Sequence, residues 1–447
     1  MNIHFRKLLA LALISITFVA CKKEEETLPE SLSPPASAYG SETAAKWNDL
    51  QLQLIRTTAG FVPPVAARAL GYSNLAAYEA IVPGMADKHS MDEVMHYSYL
   101  LPYANSSKKY NWALVSNAAY FQMIKALYAN TSSQNQLLID SLYLALKNEG
   151  GLGEAADVIL RSESYGAEVA DVIYNWSLSD NGHQAYTNLF PSGYTVQSGP
   201  GLWKPTPPAY QPIPLLPYWG NNRPFLASSI SMACMPPAPL SYSTDTASQF
   251  YKEAYQVYET GNNLSTEQRD IALFWADGSA TYTPPGHNMN LATQLIREDH
   301  QSLDRAAEIY LRMGVACNDA FIACWKAKYT HNVLRPVTYI RENIAASWTP
   351  LITTPPFPEY TSGHSSVSGA CSEVLSAAFG RNRAFTDRSN EWMGFTARSY
   401  NNFYEAAEEA ATSRLYGGIH FPNANLKGIA CGKQIGRSVA SINLNRQ

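Results

Sequence analysis

Charged side chains are scarce in this chain. Asp, Glu, Lys and Arg make up 16% of its 447 residues, and the formal net charge is −4. No block of Lys or Arg is present, and the sequence pI is about 6.2. Nucleic-acid-binding surfaces carry clustered basic residues. We therefore expect no nucleic-acid partner.

The sequence also lacks the motifs of several enzyme classes. It contains six cysteines but no C-x-x-C pair, which argues against a zinc or thioredoxin-like site. Neither G-x-S-x-G nor H-E-x-x-H occurs, so the common serine-hydrolase and metallohydrolase patterns are missing. We expect the five cysteines after Cys21 to be small buried core residues.

Long apolar runs are missing except at the N-terminus. There, Arg6 and Lys7 precede the run LLALALISITFVA, which ends with Ala20 just before Cys21. The run is too short to span a membrane. It resembles a bacterial lipoprotein signal, in which the cysteine is lipidated and becomes the mature N-terminus. An ordinary secretory signal with an incidental cysteine is the alternative.

This signal divides the beginning of the chain into two segments. Residues 1–20 are expected to be a signal peptide, and the charged, Pro/Ser-rich residues 21–40 a lipidated, disordered tether. We expect an exported protein that is lipid-anchored to the bacterial cell envelope, at the outer membrane on its periplasmic or surface face. The anchor is expected to be the protein's only contact with the membrane.

Helical periodicity dominates the chain from about Ser41 onward. We predict an all-α helical bundle in one domain over 41–447, with N-terminal helices over 41–185, an irregular region over 186–244 and a C-terminal bundle over 245–447. The predicted helices are 41–58, 63–82, 110–130, 133–148, 154–177, 246–260, 264–277, 301–328, 363–379, 388–415 and 424–441.

The irregular region 186–244 is rich in Pro, Trp and Tyr and has no clear period. A connection of this length without secondary structure is uncommon inside a domain. Its many aromatic residues distinguish it from a flexible linker. We therefore expect an ordered excursion that packs over the helices and could wall a pocket.

Three places in the C-terminal bundle point basic residues toward the core. In the first, the apolar stripe of the helix 301–328 continues through Cys324 to Lys328 at helical spacing. Seven positions later, Arg335 precedes Pro336, which starts a new helix and pushes Arg335 out of the helical region. A lysine at a helix end often reaches solvent instead, but the Arg-Pro corner in register with it favours the inward orientation.

The second place is the stretch TSGH. Thr361 or Ser362 suits the N-cap of the next helix, and Gly363 opens it. The apolar stripe of that helix extrapolates back to His364. A hydroxyl, a helix N-terminus and an imidazole would then face one spot, which favours an anion site. A capped helix with an exposed histidine is the alternative.

The third place is the stretch SRLYGGIH. Arg414 continues the apolar face of a helix predicted to begin near 388, Gly417 and Gly418 break that helix, and His420 follows. A buried arginine needs a negative partner because an unpaired buried charge is very costly. The three places together supply cations, a hydroxyl, a helix N-terminus and two histidines, a set that suits a tetrahedral oxyanion.

The three places resemble, in order and spacing, the motifs of the type 2 phosphatidic acid phosphatases and vanadium-dependent haloperoxidases. Those motifs are K-x6-R-P, P-S-G-H and S-R-x5-H-x3-D. The stretches FWADGSATYTPPGH and FIACWKAKYTHNVLRPVTYIRE resemble the haloperoxidase-type branch. The resemblance covers most of residues 41–441 and implies a helical bundle of the acid phosphatase and vanadium haloperoxidase type.

The resemblance also implies roles for individual residues. His420 would be the apical group, either the vanadate ligand or the nucleophile that forms a phosphohistidine, and His364 would be its acid/base partner. Asp277 resembles the carboxylate that pairs with the arginine of the third motif, although a plain surface aspartate is the alternative. The residues that would bind the phosphate or vanadate oxygens are Lys328, Arg335, Ser362, Gly363 and Arg414.

Two positions depart from the family pattern. Thr361 replaces a proline, and because threonine also caps helices we expect little effect. Ala424 stands where the pattern has an aspartate that orients the histidine. His420 is therefore expected to rely on Asn423, Asn425 or a backbone carbonyl. Weaker orientation would harm a nucleophile more than a vanadate ligand, so this departure favours a peroxidase.

Three functions follow as hypotheses. The first is a vanadium-dependent haloperoxidase, in which vanadate on His420 would take up hydrogen peroxide, Lys328 and Arg335 would polarise it, and halide would be oxidised. The second is a phosphomonoesterase that needs no cofactor. It would use the same oxyanion-binding residues, since vanadate mimics phosphate; we call this set, Lys328, Arg335, Ser362, Gly363 and Arg414, the cradle. The third is a non-catalytic surface lipoprotein that binds carbohydrate or peptide on its aromatic excursion.

Overall fold

The computed structural model describes residues 33–232 and 234–446, and the chain folds there almost entirely into helices, which confirms the all-α prediction. The signal peptide, Cys21 and residues 21–32 of the tether lie outside the described residues. The helices are α1 Glu42–Thr57, α2 Pro63–Ile81, α3 Met91–Met95, α4 Trp112–Leu127, α5 Ser133–Gly150, α6 Ala156–Ser177, α7 Gln249–Asn262, α8 Thr266–Phe274, α9 Thr283–Glu298, α10 Leu303–His331, α11 Pro336–Asn343, α12 Gly363–Phe379, α13 Phe403–Tyr416 and α14 Pro422–Ala440.

Local sequence signals set where most helices begin. At α8, Ser265 and Gln268 form a capping box, in which each side chain accepts from the other residue's backbone N–H. Prolines open α2, α11 and α14, where a missing N–H costs nothing. The prediction lacked α9 because Pro284 and Pro285 suggest a loop; in the structure both occupy its first turn.

The predicted helix over 388–415 is wrong in its first half. The segment forms a short antiparallel hairpin of β1 (Phe385–Asp387) and β2 (Arg398–Tyr400). The helix α13 begins only at Phe403, because the Asn402 side chain accepts from the Glu405 backbone N–H as an N-cap. The hairpin places Asp387 in the protein interior, where it is 0% exposed.

The predicted tether is too long at its C-terminal end. Residues 33–40 lie against the helices: Ala36 is fully buried, and the Leu303 backbone N–H donates to the carbonyl of Tyr39 at 2.8 Å. The Tyr110 backbone N–H donates to the hydroxyl of Ser33 at 2.8 Å. The packed part of the chain therefore includes residues that composition alone assigned to a linker.

The described residues of the excursion over 186–244 pack on the bundle, as predicted. Asp319 of α10 fastens it, because its carboxylate accepts the backbone N–H groups of Phe225 and Leu226, both at 2.8 Å, and the hydroxyl of Ser229 at 2.9 Å. Burial raises the pKa of this carboxyl to about 6, although these donors favour the ionised form. Trp203 is buried at the other end of the excursion.

The helix α10 runs through the centre of the molecule and packs against α2 and α12. The helices α12 and α14 approach closely: a Cβ at Gly432 would lie 2.0 Å from the carbonyl oxygen of Ser366, so only glycine fits there. The five remaining cysteines are all buried and free, as predicted. Among the described residues, no helix is long and apolar enough to cross a membrane.

Candidate active site

The end of α10 places a buried ammonium at the base of the site. Lys328 is 0% exposed, and its Nζ donates to the carbonyl oxygens of Pro358, Glu359 and Thr361 at 2.5 to 2.9 Å. Burial lowers the pKa of this lysine to about 7. Three acceptors match the three N–H donors of an ammonium group, so these hydrogen bonds favour the charged form and oppose the effect of burial.

Arg335 follows at the corner that leads into α11, also fully buried. Its Nε donates to the carbonyl of Phe357 at 2.8 Å, and its Nη1 to the carbonyl of Ile419 at 2.9 Å. The same Nη1 lies 3.2 Å from His420 Nε2. Its Nη2 is buried and has no hydrogen-bond partner within the described part of the chain. One arm of the guanidinium is thus available for a ligand.

His420 is fixed in one tautomer by its two neighbours. Its Nδ1 lies 2.7 Å from Glu359 Oε1, so Nδ1 carries the proton and donates to that carboxylate. Its Nε2 then has a lone pair, which faces the Arg335 guanidinium. Burial, followed by the charges of Arg335, Lys328 and Arg414, lowers the pKa of His420 well below its usual value. The histidine is a neutral imidazole whose Nε2 lone pair, directed at Arg335 Nη1, can bind an electrophilic centre.

Glu359 is the site residue that sequence reasoning missed. It is 1% exposed, and the Phe421 backbone N–H donates to the same Oε1 at 2.9 Å. Burial raises its pKa to about 7, against the lowering effect of Arg335 and Lys328. The sequence signal for Glu359 was its position just before the TSGH stretch. However, it follows three prolines in a segment without helical or strand periodicity, so the sequence does not show where its side chain points.

Glu359 corrects the expectation for the asparagines. Asn425 Oδ1 accepts from the Ser365 hydroxyl at 3.4 Å, and the Asn423 backbone N–H donates to Glu253 at 2.9 Å. Neither interaction involves His420. A carboxylate does orient the histidine despite Ala424, so the argument that a missing carboxylate favours a peroxidase no longer holds.

The start of α12 supplies the second side of the site. Ser362 is its N-cap, with its hydroxyl accepting from the Ser365 backbone N–H at 3.3 Å, and Gly363 is the first helical residue. The first N–H groups of a helix lack intrahelical partners and carry the positive end of its dipole. Lys328 binds the carbonyl of Thr361 just before this helix, so the end of α10 and the start of α12 meet here.

Arg414 and His364 pair across this side. Arg414 is 1% exposed, and its Nη1 lies 3.3 Å from His364 Nε2. Its other interactions are with neutral acceptors: the Ser413 hydroxyl and the carbonyls of Ala272 and Ala276. Burial and then the charge of Arg414 lower the pKa of His364 well below its usual value. Both site histidines are therefore neutral next to an arginine.

Asp277 lies at the site but not as predicted. It is buried rather than on the surface, yet its oxygens lie 3.0 and 3.1 Å from His287 Nδ1 rather than on Arg414. His287 Nε2 in turn lies 2.8 Å from Asp387 Oδ2. Burial alone would lower the pKa of His287, but the two carboxylates outweigh burial and raise it to about 10. We call these three residues the buried triad.

Two aromatic residues cover the cations. The ring centroid of Phe357 lies 5.0 Å from Lys328 Nζ and 4.8 Å from the Arg335 guanidinium carbon. Trp325 packs against Phe357 with their ring centroids 5.0 Å apart. Such contacts stabilise cations and keep water from one side of them. Phe357 stands just before the TSGH stretch in the sequence.

The donor set fits an oxyanion. The cations Lys328, Arg335 and Arg414 surround His420 closely enough that each lowers its pKa. Glu359 supplies a single direct carboxylate contact, which goes to His420. Arg335 Nη2 has no hydrogen-bond partner among the described residues. A tetrahedral oxyanion such as vanadate or phosphate would supply the missing acceptors and balance the positive charge.

Known proteins resemble this chain in sequence and in fold. A family model described as the VCPO second helical-bundle domain matches residues 308–445. The vanadium chloroperoxidase of Curvularia inaequalis is 24% identical over 410 residues, which are 75% of this chain, and the chain spans 65% of that protein's length. A bacterial vanadium-dependent chloroperoxidase shares the fold with a TM-score of 0.66 at 17% identity, over 87% of this chain and 93% of that chain.

A crystal structure of a bacterial vanadium-dependent iodoperoxidase extends the likeness to sequence. It is 35% identical to this chain, with a TM-score of 0.82, and the match covers 91% of this chain and 97% of that one. The match thus includes both the N-terminal helices and the bundle that carries the two histidines. The chain belongs to the vanadium-dependent haloperoxidase family.

Proposed function

We propose that this protein is a haloperoxidase that oxidises halide with hydrogen peroxide at a vanadate group bound by His420. The observation that carries the proposal is the orientation of His420: Glu359 holds the proton on Nδ1, so Nε2 presents a lone pair among three buried cations. Arg335, Ser362, Gly363 and Arg414 would bind the oxygens. Lys328, whose three N–H groups donate to backbone carbonyls, would contribute its charge. When bound, vanadate activates hydrogen peroxide for two-electron transfer from halide.

The balanced reaction is X⁻ + H₂O₂ + H⁺ → HOX + H₂O, in which halide loses two electrons and peroxide is reduced. One proton must be delivered to the departing oxygen. His364 is the group placed to hold and release it, because an anion in the cradle offsets the charge of Arg414 and so favours protonation of this histidine. Lys328 and Arg335 stabilise developing negative charge on oxygen.

Iodide is the halide that we propose first. The 35% identical relative is an iodoperoxidase, whereas the chloroperoxidases are more distant in sequence. Iodide is also easier to oxidise than bromide or chloride. Oxidation of chloride by this protein as readily as iodide would contradict the proposed preference.

A phosphomonoesterase remains a second candidate because Glu359 supplies the histidine orientation that a nucleophile needs. In that reaction, His420 would form a phosphohistidine and His364 would protonate the leaving group. The cradle serves both chemistries equally well. Family membership favours the peroxidase.

One pair of assays separates the two functions. Purified residues 22–447 are tested with peroxide plus iodide, bromide or chloride, and separately with a generic phosphate monoester, each with and without orthovanadate. We expect vanadate to switch on halide oxidation and His420→Ala to abolish both this activity and vanadate binding. Phosphate release that vanadate only inhibits would support the phosphatase instead. Absence of both activities and of orthovanadate binding would contradict both.

We also propose that the protein is exported and lipid-anchored through Cys21. The support is the sequence signal of a short apolar run that ends at this cysteine. Expression of the full-length gene with radiolabelled palmitate should label the wild type and leave Cys21→Ser unlabelled. Labelling of both proteins, or of neither, would contradict the anchor.

A further inference from the structure

Three large apolar side chains are exposed near the point where the tether joins the folded protein. Leu100, Tyr103 and Leu152 are 90%, 82% and 82% exposed. Within the described part of the chain, Met232 is the only other large hydrophobic side chain with more than 80% exposure. Single exposed apolar residues are normal on a protein surface, whereas several near one another mark an interaction site.

The loop that carries Leu100 and Tyr103 lies against the first described residues of the chain. The Tyr110 backbone N–H donates to the Ser33 hydroxyl at 2.8 Å. The Asn105 backbone N–H donates to the hydroxyl of the same tyrosine at 3.2 Å. The loop over 100–110 therefore folds over the point where the tether enters the folded protein.

The turn that carries Leu152 lies beside the same loop. The Asn111 side-chain amide donates to the carbonyl of Gly150 at 3.0 Å, and Lys109 Nζ lies 2.8 Å from Glu154 Oε2. These two contacts hold the turn on both sides of Leu152. The three exposed apolar side chains thus surround one point, although the sequence places the turn far from the loop.

The length of the tether limits which face of the protein can meet a membrane. Cys21 precedes Ser33 by 12 residues, and a chain of that length extends over at most about 40 Å. A folded domain of this size is roughly 55 Å across. If Cys21 is anchored in a bilayer, the face around Ser33 is therefore held near the lipid, and the opposite face is beyond reach of it.

We propose that this face, which consists of Leu100, Tyr103, Leu152 and the exposed Lys108 and which we call the tether surface, rests in the headgroup region of a phospholipid bilayer. Leucine gains free energy when it leaves water, tyrosine favours the boundary between water and lipid, and lysine is attracted to anionic headgroups.

The inference rests on the lipid anchor proposed above and goes beyond it. An anchor alone leaves the orientation of the folded protein open, whereas contact at the tether surface fixes which side faces the lipid. The sequence led us to expect the anchor as the only contact with the membrane, because the exposure of these side chains becomes visible only in the fold.

The test uses the full-length lipidated protein, purified from bacterial membranes and reconstituted into vesicles of phosphatidylethanolamine and phosphatidylglycerol. The variants Leu100→Cys, Tyr103→Cys and Leu152→Cys are each labelled with a fluorophore. The five cysteines after Cys21 are buried, so the folded wild type should remain unlabelled. We expect lipids that carry a nitroxide near the headgroup to reduce the fluorescence of each label roughly twofold or more.

Leu426→Cys is the matched control. Leu426 is also an exposed leucine, at 62%, but it lies on α14 next to Ala424 and Asn425, on the part of the bundle that carries the cradle. A label at this position should keep its fluorescence within about one tenth of the value in vesicles without nitroxide.

Three results would overturn the inference. Equal quenching of the control and the surface labels, or no quenching of either, in protein that sediments with the vesicles would leave the anchor intact and contradict the contact. Labels shielded from water without quenching, in a protein that sediments as a dimer, would assign the face to a second copy of the chain. Protein that fails to sediment with the vesicles would contradict the anchor as well, so the two failures are distinguishable.

Discussion

The two sides of the cradle hold their histidines in different ways. His420 donates directly to Glu359 at 2.7 Å, whereas His364 has its nearest carboxylate, Asp277, at 3.9 Å. Each Nε2 faces an arginine at a similar distance, 3.2 Å for His420 and 3.3 Å for His364. The difference therefore lies in the carboxylates: Glu359 contacts Nδ1 of His420, the nitrogen that does not face the arginine, whereas Asp277 lies nearest to the same Nε2 of His364 that faces Arg414.

This difference suits two different tasks. A directly bound carboxylate fixes the proton of His420 on one nitrogen and raises the basicity of the other, which is what a ligand needs. A carboxylate held at a distance leaves His364 able to gain and lose a proton as charge in the cradle changes. In the function proposed above, this asymmetry between the two carboxylates would separate anion binding from proton transfer.

The largest effect is expected where proton transfer is removed. His364→Ala should lower the turnover number by roughly 10² to 10⁴ while orthovanadate affinity stays within about threefold of the wild type. Steady-state kinetics and calorimetry measure the two quantities. His300→Asn is a matched control at an exposed site with a positive φ of 49° that asparagine tolerates. Parallel loss of binding and turnover would contradict the separation of tasks.

The buried triad beside His364 should make the stability of the protein depend on pH in the alkaline range. The pKa of His287 is raised from 6.5 to about 10 in the folded protein, so its contribution is fully present below pH 6.5 and is lost as the pH rises through about 10. His287→Gln should cost about 3 to 5 kcal/mol of unfolding free energy at pH 6 and less at pH 10. Urea unfolding at both pH values measures this, and an equal cost at both would contradict it.

Replacing the carboxylate behind His420 should affect binding. Glu359→Gln keeps an acceptor for Nδ1 but removes the charge, and we expect orthovanadate affinity to fall roughly 10- to 100-fold. Glu253→Gln is the control, because that carboxylate contacts the backbone of Asn423 and not His420. Equal losses in both variants would show that the orientation of His420 is not the cause.

The smallest effect is expected at the asparagine that sequence reasoning placed behind His420. Asn423→Ala leaves intact the backbone N–H that donates to Glu253. Orthovanadate affinity and turnover should both stay within about threefold of the wild type. A loss comparable to that of Glu359→Gln would return the asparagine to the role that the structure gives to Glu359.

Helical spacing predicted much of this arrangement and failed at identifiable places. The stripe that ends at Lys328 and the cap at Ser362 lie inside or next to long periodic helices, where register shows which way a side chain points. Glu359 and Asp277 lie on irregular segments, which have no register. Asp387 was left just outside the helix predicted over 388–415, because the short hairpin has too few residues for a strand pattern to stand out.

One short segment, residues 357–361, has a consequence for how the site is lost. Its carbonyls bind Arg335 through Phe357 and Lys328 through the following residues, and Glu359 sets the tautomer of His420. Two cations and the imidazole thus depend on one peptide strip. Local unfolding of residues 357–361 should therefore abolish anion binding in a single all-or-none step. Exchange of these five residues between homologues should transfer this response to local unfolding as a unit.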